Sequence, residues 1–447
     1  MNSVSSLLFL CAVLVGCKKY LDAKSDKKLT VPTTLQDMQS LLDYYYRVNN
    51  YEPGAGVTAS DEYYLTHENY NSLTLETDRN VYLWNKDYQF PAGFNDWSYA
   101  YDNVYRANVV LDNLPGIERT ASNGTDWDNI KGQALFLRGK SFLKVSYIWS
   151  LSYDSATASQ DLGIPLRLNS DFNQVSVRTT VKQSYERILK DLADAALLLP
   201  DKPLHVLRSS KAAAYGLLAR TYLSMRLYDS CLLYADKSLQ ISNTLLDYNT
   251  LDSNASYPIG QFNDEVVMEN QIPIPPPPYY GYVDTSLYSL YDSKDLRKAM
   301  FFQRVANGIY SFKGSYEGFG NLFGGIATDE LYLMRAECNA RTGSLQSALE
   351  DLNKLLEKRY VKGSFVSVVS SSRTEIIATI VKERKKELLF RDLRWMDIKR
   401  LNKEDANISL TRSINGISYT LEPNDPRFAM SIPEDVISNS GMQQNPR

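Results

Sequence analysis

The residues with the most evident chemistry lie in Arg79–Tyr88, which reads RNVYLWNKDY. Aromatic rings alternate there with side chains that donate and accept hydrogen bonds. That mixture suits a sugar, whose C–H faces stack on rings and whose hydroxyls need polar partners. Trp84 and Tyr88 are four apart and share one side of a helical turn, whereas Tyr82 and Trp84 share a face if the segment is extended. Trp84 and Tyr88 are therefore the candidate platforms, with Arg79, Asn85 and Asp87 as hydrogen-bonding partners. Tyr279, Tyr280 and Tyr316 form a second candidate set in a later irregular stretch. The competing reading is that these rings pack their loops onto helices.

Other chemistry has less support. The chain has 447 residues and only two histidines, His67 and His205, which leaves little for imidazole catalysis or a histidine metal site. Asp61-Glu62 is a carboxylate pair of the kind a glycosidase uses. With 52 acidic residues, adjacent pairs arise by chance. No phosphate loop, dinucleotide fingerprint, zinc-protease motif, nucleophile elbow or EF-hand loop occurs at a sensible place. No cofactor is expected. A net charge of −3 gives no basic footprint for nucleic acid. The 32 tyrosines permit an aromatic, hydroxyl-rich binding face.

The elements that must position these residues are mostly helical. Residues 1–16 form a short apolar leader, too short to span a bilayer as a mature helix. Leu14-Val15-Gly16-Cys17 resembles a bacterial lipobox, which makes Cys17 the lipidated residue and 17–30 a polar tether. Residues 31–447 read as one domain. Thr34 caps a first helix carrying Leu35, Met38, Leu41 and Leu42. Helices are expected over Asn95–Leu114, Asp128–Leu151 and Val181–Leu199. Two blocks lack a sustained period, about 50–94 and 245–325, and the second contains a stiff Ile272–Pro278 proline run.

Residues 211–240 and 328–358 hide a repeat. Ala219, Tyr222, Tyr228, Cys231 and Ala235 occupy the same offsets as Ala336, Asn339, Leu345, Ala348 and Leu352. This is the packing pattern of a tetratricopeptide helix pair, small where two helices touch. The two copies lie 117 residues apart, an interrupted array. Cys231 and Cys338 fall inside it and are expected to be free, buried thiols. Glu383–Leu401 reads as one helix, with an apolar side in the core and its acids and arginines paired to neighbouring helices. Trp395 is expected to be buried and Arg394 paired.

That last segment resembles the C-terminal signature of the SusD/RagB family of outer-membrane nutrient-binding lipoproteins. Glu383, Arg384, Glu387, Leu388, Phe390, Arg394, Trp395, Asp397, Ile398 and Arg400 fill its places, although Arg391-Asp392 stands where Glu-Gly is usual. Trp97, Tyr101, Val104, Ala107 and Asn108 resemble a second family helix. Gly163-Ile-Pro-Leu166 resembles a family turn, and Ile432-Pro433-Glu434 with Gln444-Asn445-Pro446 resembles its closing segment. The resemblance implies a mainly α, tetratricopeptide-like scaffold with long loops and minor β structure. It implies a non-enzymatic lipoprotein, anchored in the outer membrane and facing outside. Such a protein captures a glycan, or less often a peptide, and hands it to a SusC-like TonB-dependent transporter. In the family's best-known glycan binder the ligand residues lie just before the W-x-x-x-Y helix, where Arg79–Tyr88 lies here. The rival readings are a tetratricopeptide scaffold for protein partners and a surface glycosidase.

Overall fold

The computed structural model describes residues 31–446. The leader, Cys17 and the tether lie outside the described residues. Thr34 opens the first helix, Leu35–Leu42, through a reciprocal capping box with Asp37. Met38 and Leu42 are its buried residues, as the spacing predicts.

The longer helices are α1 (Asp96–Asn113), α2 (Gly124–Trp149), α3 (Val181–Leu198), α4 (Lys211–Ser224), α5 (Tyr228–Ile241), α6 (Thr328–Thr342), α7 (Leu345–Glu357), α8 (Arg373–Glu387) and α9 (Arg394–Asn402). They pack in sequence order, α1 on α2 and so on to α6 on α7, with α8 also against α6. The fold is mainly α, with small two-stranded sheets. The repeat read from sequence is the seam of this stack. Ala219, Cys231 and Ala235 are fully buried, as are Ala336 and Ala348. The array is interrupted in sequence only, because α5 packs directly on α6 across the 245–325 insertion. Cys231 and Cys338, on those two helices, are free and buried. Gly163 is required at its turn, since a Cβ there would meet the Thr180 carbonyl at 2.3 Å.

The signature segment differs from the single helix expected of it. α8 ends at Glu387, and α9 begins at Arg394. Between them Phe390 and Asp392 adopt left-handed backbone, each with φ 58. Such a conformation costs about 1–2 kcal/mol per residue, and buried partners hold it. The Phe390 amide donates to Glu62 Oε1 at 2.9 Å. Arg391 pairs with Asp329 at 2.8 Å, and Asp392 with Lys144 at 3.0 Å. The expected cross-helix pairing is present. Arg400 bonds Glu337 at 2.7 Å, Arg384 bonds Asp397 at 2.8 Å, and Arg394 bonds Asp61 at 2.7 Å. Trp395 is buried against Phe428.

The two aperiodic blocks fold onto each other. Tyr63–Tyr64 pairs antiparallel with Tyr282–Val283. The Glu52 amide donates to the Gln271 carbonyl at 3.0 Å, and the Gln271 amide to the Asn49 carbonyl at 2.7 Å. Neither block is structureless, for short helices occupy Ala55–Ala59, His67–Ser72 and Glu76–Tyr82. The proline run is stiff only in its first half. Pro275 is extended at φ −65 and ψ 150, and Pro276–Tyr280 then makes a helical turn, since proline fits a first turn.

Candidate ligand-binding cleft

The seam between the two blocks opens into a cleft of about 280 Å³. One wall is the helix Glu76–Tyr82 and the loop that follows, one is the start of α1 with Tyr51, and one is Pro273–Pro276. Four residues give it chemistry. Phe94 is 78% exposed, an uncommon position for so large an apolar ring. Tyr51 and Tyr99 meet at 4.8 Å between ring centres, tilted by 40°, along the rim. Asp78 points an oxygen, Oδ2, that is buried and has no hydrogen-bond partner. Burial pushes the Asp78 carboxyl up to about 6, with Arg79 pulling the other way. Asp96, also lining the cleft, is pushed up to about 6 by burial. It is occupied, however, accepting from the Gly54 and Ala55 amides at 2.9 and 2.8 Å. Asn95 caps α1 through the Ser98 amide at 3.0 Å.

The residues expected from sequence stand close by but mostly face elsewhere. Trp84 is 2% exposed and belongs to the core, not to a platform. Its indole N–H donates to the Ala59 carbonyl at 3.0 Å, and the Arg412 guanidinium lies 4.7 Å from its ring. Tyr88 is exposed, but its main chain is tied to Asn80 at 2.9 Å and to Glu434, and its ring does not line the cleft. The Arg79 guanidinium donates to the Leu73 carbonyl. Asn85 donates to Asn80 Oδ1 at 2.8 Å. Asp87 is exposed and outside the cleft lining.

The second set divides. Tyr279 is 65% exposed and meets Tyr280, which is also exposed, edge-on at 5.0 Å. Tyr279 borders a smaller cavity of about 150 Å³ that shares Ile274 with the cleft. Tyr316 is 1% exposed and is therefore a structural residue. Its hydroxyl bonds Asp329 at 3.1 Å, and Arg391 lies 3.9 Å from its ring. The acid pair Asp61-Glu62 is structural too. Although buried, Asp61 is held well below the usual carboxylate range by Arg394 and Lys385. Burial pushes Glu62 up to about 7, and it accepts from Ser60 and the Phe390 amide, each at 2.9 Å.

Sequence reasoning missed Asp78, Phe94, Tyr51 and Tyr99. Phe94 follows Pro91-Ala-Gly in a segment with no period to say which way a ring points. A larger cavity, about 500 Å³, lies on the opposite face of α1 beside Tyr105 and Phe172. Its polar groups satisfy one another. Asn108 donates to the Arg167 and Asn169 carbonyls at 2.8 and 3.0 Å, Asn169 donates to Gln174 at 3.0 Å, and Arg167 is held by Asp171 and Gln174 carbonyls. The smaller cleft, with its orphaned carboxylate oxygen, is the stronger candidate for a ligand site. Among the described residues no group of three or more His, Cys, Asp or Glu could hold a metal, and no helix is long and apolar enough to cross a membrane.

A helical stack with a cleft between two loop insertions defines a class of α-helical binding protein, and sequence comparison assigns the family. Residues 19–223 match a SusD-like family described as starch-binding and associating with the outer membrane, and residues 329–446 match the SusD family itself. The chain belongs to the SusD/RagB family. Its fold is that of a SusD superfamily protein from Bacteroides thetaiotaomicron, at TM-score 0.74 and 21% identity over 93% of this chain and 100% of that one. A SusD-like carbohydrate binding protein from Bacteroides vulgatus matches at TM-score 0.68 and 19% identity, over 92% and 97%. A laminarin binding SusD-like protein matches at 0.64 and 17%, over 92% and 99%. No curated protein matches the sequence.

Proposed function

We propose that this protein is a surface-exposed outer-membrane lipoprotein that binds a glycan in the cleft and delivers it to a SusC-like TonB-dependent transporter. The observation that carries the reading is Asp78, whose unpartnered oxygen is buried in a cleft rimmed by exposed Phe94. A buried acceptor left without a donor costs about 1–3 kcal/mol, so the site is built for a ligand that brings one. Sugar hydroxyls are such donors, and the C–H face of the same ring packs on Phe94 or Tyr51. Tyr279 and Tyr280, across Ile274, extend the surface toward a second sugar unit. Family membership and the carbohydrate-binding relatives support a glycan over a peptide. Cys17 is the proposed lipid attachment site, and the polar 18–30 segment holds the domain off the membrane.

The test is titration of the leaderless protein against a panel of neutral oligosaccharides, with Phe94→Ala and Asp78→Ala alongside. The parent is expected to bind at least one glycan without releasing product. Each variant is expected to lose about tenfold or more in affinity, the scale of one lost contact of 1–3 kcal/mol, with a melting curve unchanged in Phe94→Ala and no lower in Asp78→Ala. Product formation indicates a glycosidase, and unchanged affinity in both variants rules out this cleft.

A further inference from the structure

Four tyrosine rings run in contact from the surface to the cleft: Tyr44 to Tyr46 at 6.3 Å, Tyr46 to Tyr51 at 5.2 Å, and Tyr51 to Tyr99 at 4.8 Å. Tyr44 and Tyr46 are exposed, and Tyr51 and Tyr99 form the cleft rim. Arg47 sits among them, its guanidinium carbon 5.8, 5.4 and 5.7 Å from the Tyr46, Tyr51 and Tyr99 ring centres. Among the described residues the Arg47 side chain makes no ion pair, and its contacts are with these rings. The acids carried nearby are engaged elsewhere. Asp43 pairs with Arg208 at 2.5 Å, and Asp102 with Arg106 at 3.0 Å. Asp96 is held by two backbone amides, and Glu52 by Lys140.

We infer that Arg47 and its tyrosines form a subsite for the carboxylate of an acidic sugar, so that the glycan taken by the cleft carries uronate units. This rests on the glycan reading above. An arginine held in place by aromatic faces keeps its planar fork free, and that fork matches a carboxylate through two parallel hydrogen bonds. The Tyr46 and Tyr51 hydroxyls, 2.7 Å apart, leave a further donor for the same group. The rings stack the sugar while Arg47 reads its charge, which selects against the neutral ester of the same sugar.

The experiment compares oligogalacturonate, oligomannuronate and oligoglucuronate with their methyl esters, using the leaderless protein, Arg47→Gln and Arg47→Lys. The parent is expected to bind at least one free acid about tenfold or more tighter than its ester, the scale of one charge-assisted pair. That preference is expected to vanish in Arg47→Gln, to weaken in Arg47→Lys, and to shrink with added salt. Equal affinity for acid and ester overturns the inference, as does a preference that survives Arg47→Gln. Binding of neutral oligosaccharides alone overturns the uronate subsite and leaves the glycan reading standing. Failure of every acidic and neutral glycan overturns both.

Discussion

Asp78 is the residue on which the binding account turns, and its titration gives a signed prediction. Burial raises its pKa from 3.8 to about 6, so between those values the folded protein holds a proton that the unfolded chain has lost. Its contribution to stability is therefore present below about pH 4 and is lost as pH rises through about 6. Ligand binding runs the other way, because a carboxylate accepts a sugar hydroxyl better than the acid does. Affinity is expected to fall as pH drops below about 6, and Asp78→Asn is expected to flatten that dependence; titrations from pH 4.5 to 7.5 check it. At this scale the sequence pointed to the neighbourhood of the cleft but did not show that Trp84 and Tyr316 are buried. Trp84 and Tyr88 take left-handed backbone, with φ 55 and 48, which re-aims their neighbours in a way neither helical nor extended spacing describes. An aperiodic loop carries no signal for ring direction, so Phe94 and buried Trp84 look alike on paper.

The signature segment shows what was legible at the scale of elements. Its apolar and charged residues are buried apart from Lys385, as their mixture implied, but the break at Leu388–Leu393 was not visible as a break. Leu388–Leu393 holds no Gly or Pro to break a helix, and its leucines and Arg391 favour one. Tertiary partners override that propensity, since Asp329, Lys144 and Glu62 each capture one group of the turn. Charges this deep are stabilising only as a complete set. Trp395, packed on Phe428 at 4.7 Å between ring centres, anchors α9. Trp395→Ala is expected to cost about 3–5 kcal/mol, read as a lower midpoint in denaturant; an unchanged midpoint contradicts this placement. The tetratricopeptide pairs were fully legible, because small residues at fixed offsets are what close helix contact demands.

Across the whole molecule the stack acts as a frame, and the two insertions build the binding seam on it. The insertions were legible by their lost period, yet nothing in either block announced that Tyr63 would pair with Val283. Long-range pairing depends on contacts that local pattern does not encode. Anchoring also belongs to this scale. Cys17→Ala is expected to move the protein from the membrane to the soluble fraction, and continued membrane association without the transporter contradicts lipidation at that residue.

The central claim is that ligand is held between the Glu76–Tyr82 helix, the start of α1 and Pro273–Pro276. A crystal structure of the protein with the tightest-binding oligosaccharide tests it most directly. A sugar ring is expected against Phe94 or Tyr51, with a hydroxyl donating to Asp78 Oδ2. A ligand ordered instead in the larger cavity beside Tyr105 and Phe172, with the cleft empty, would contradict it.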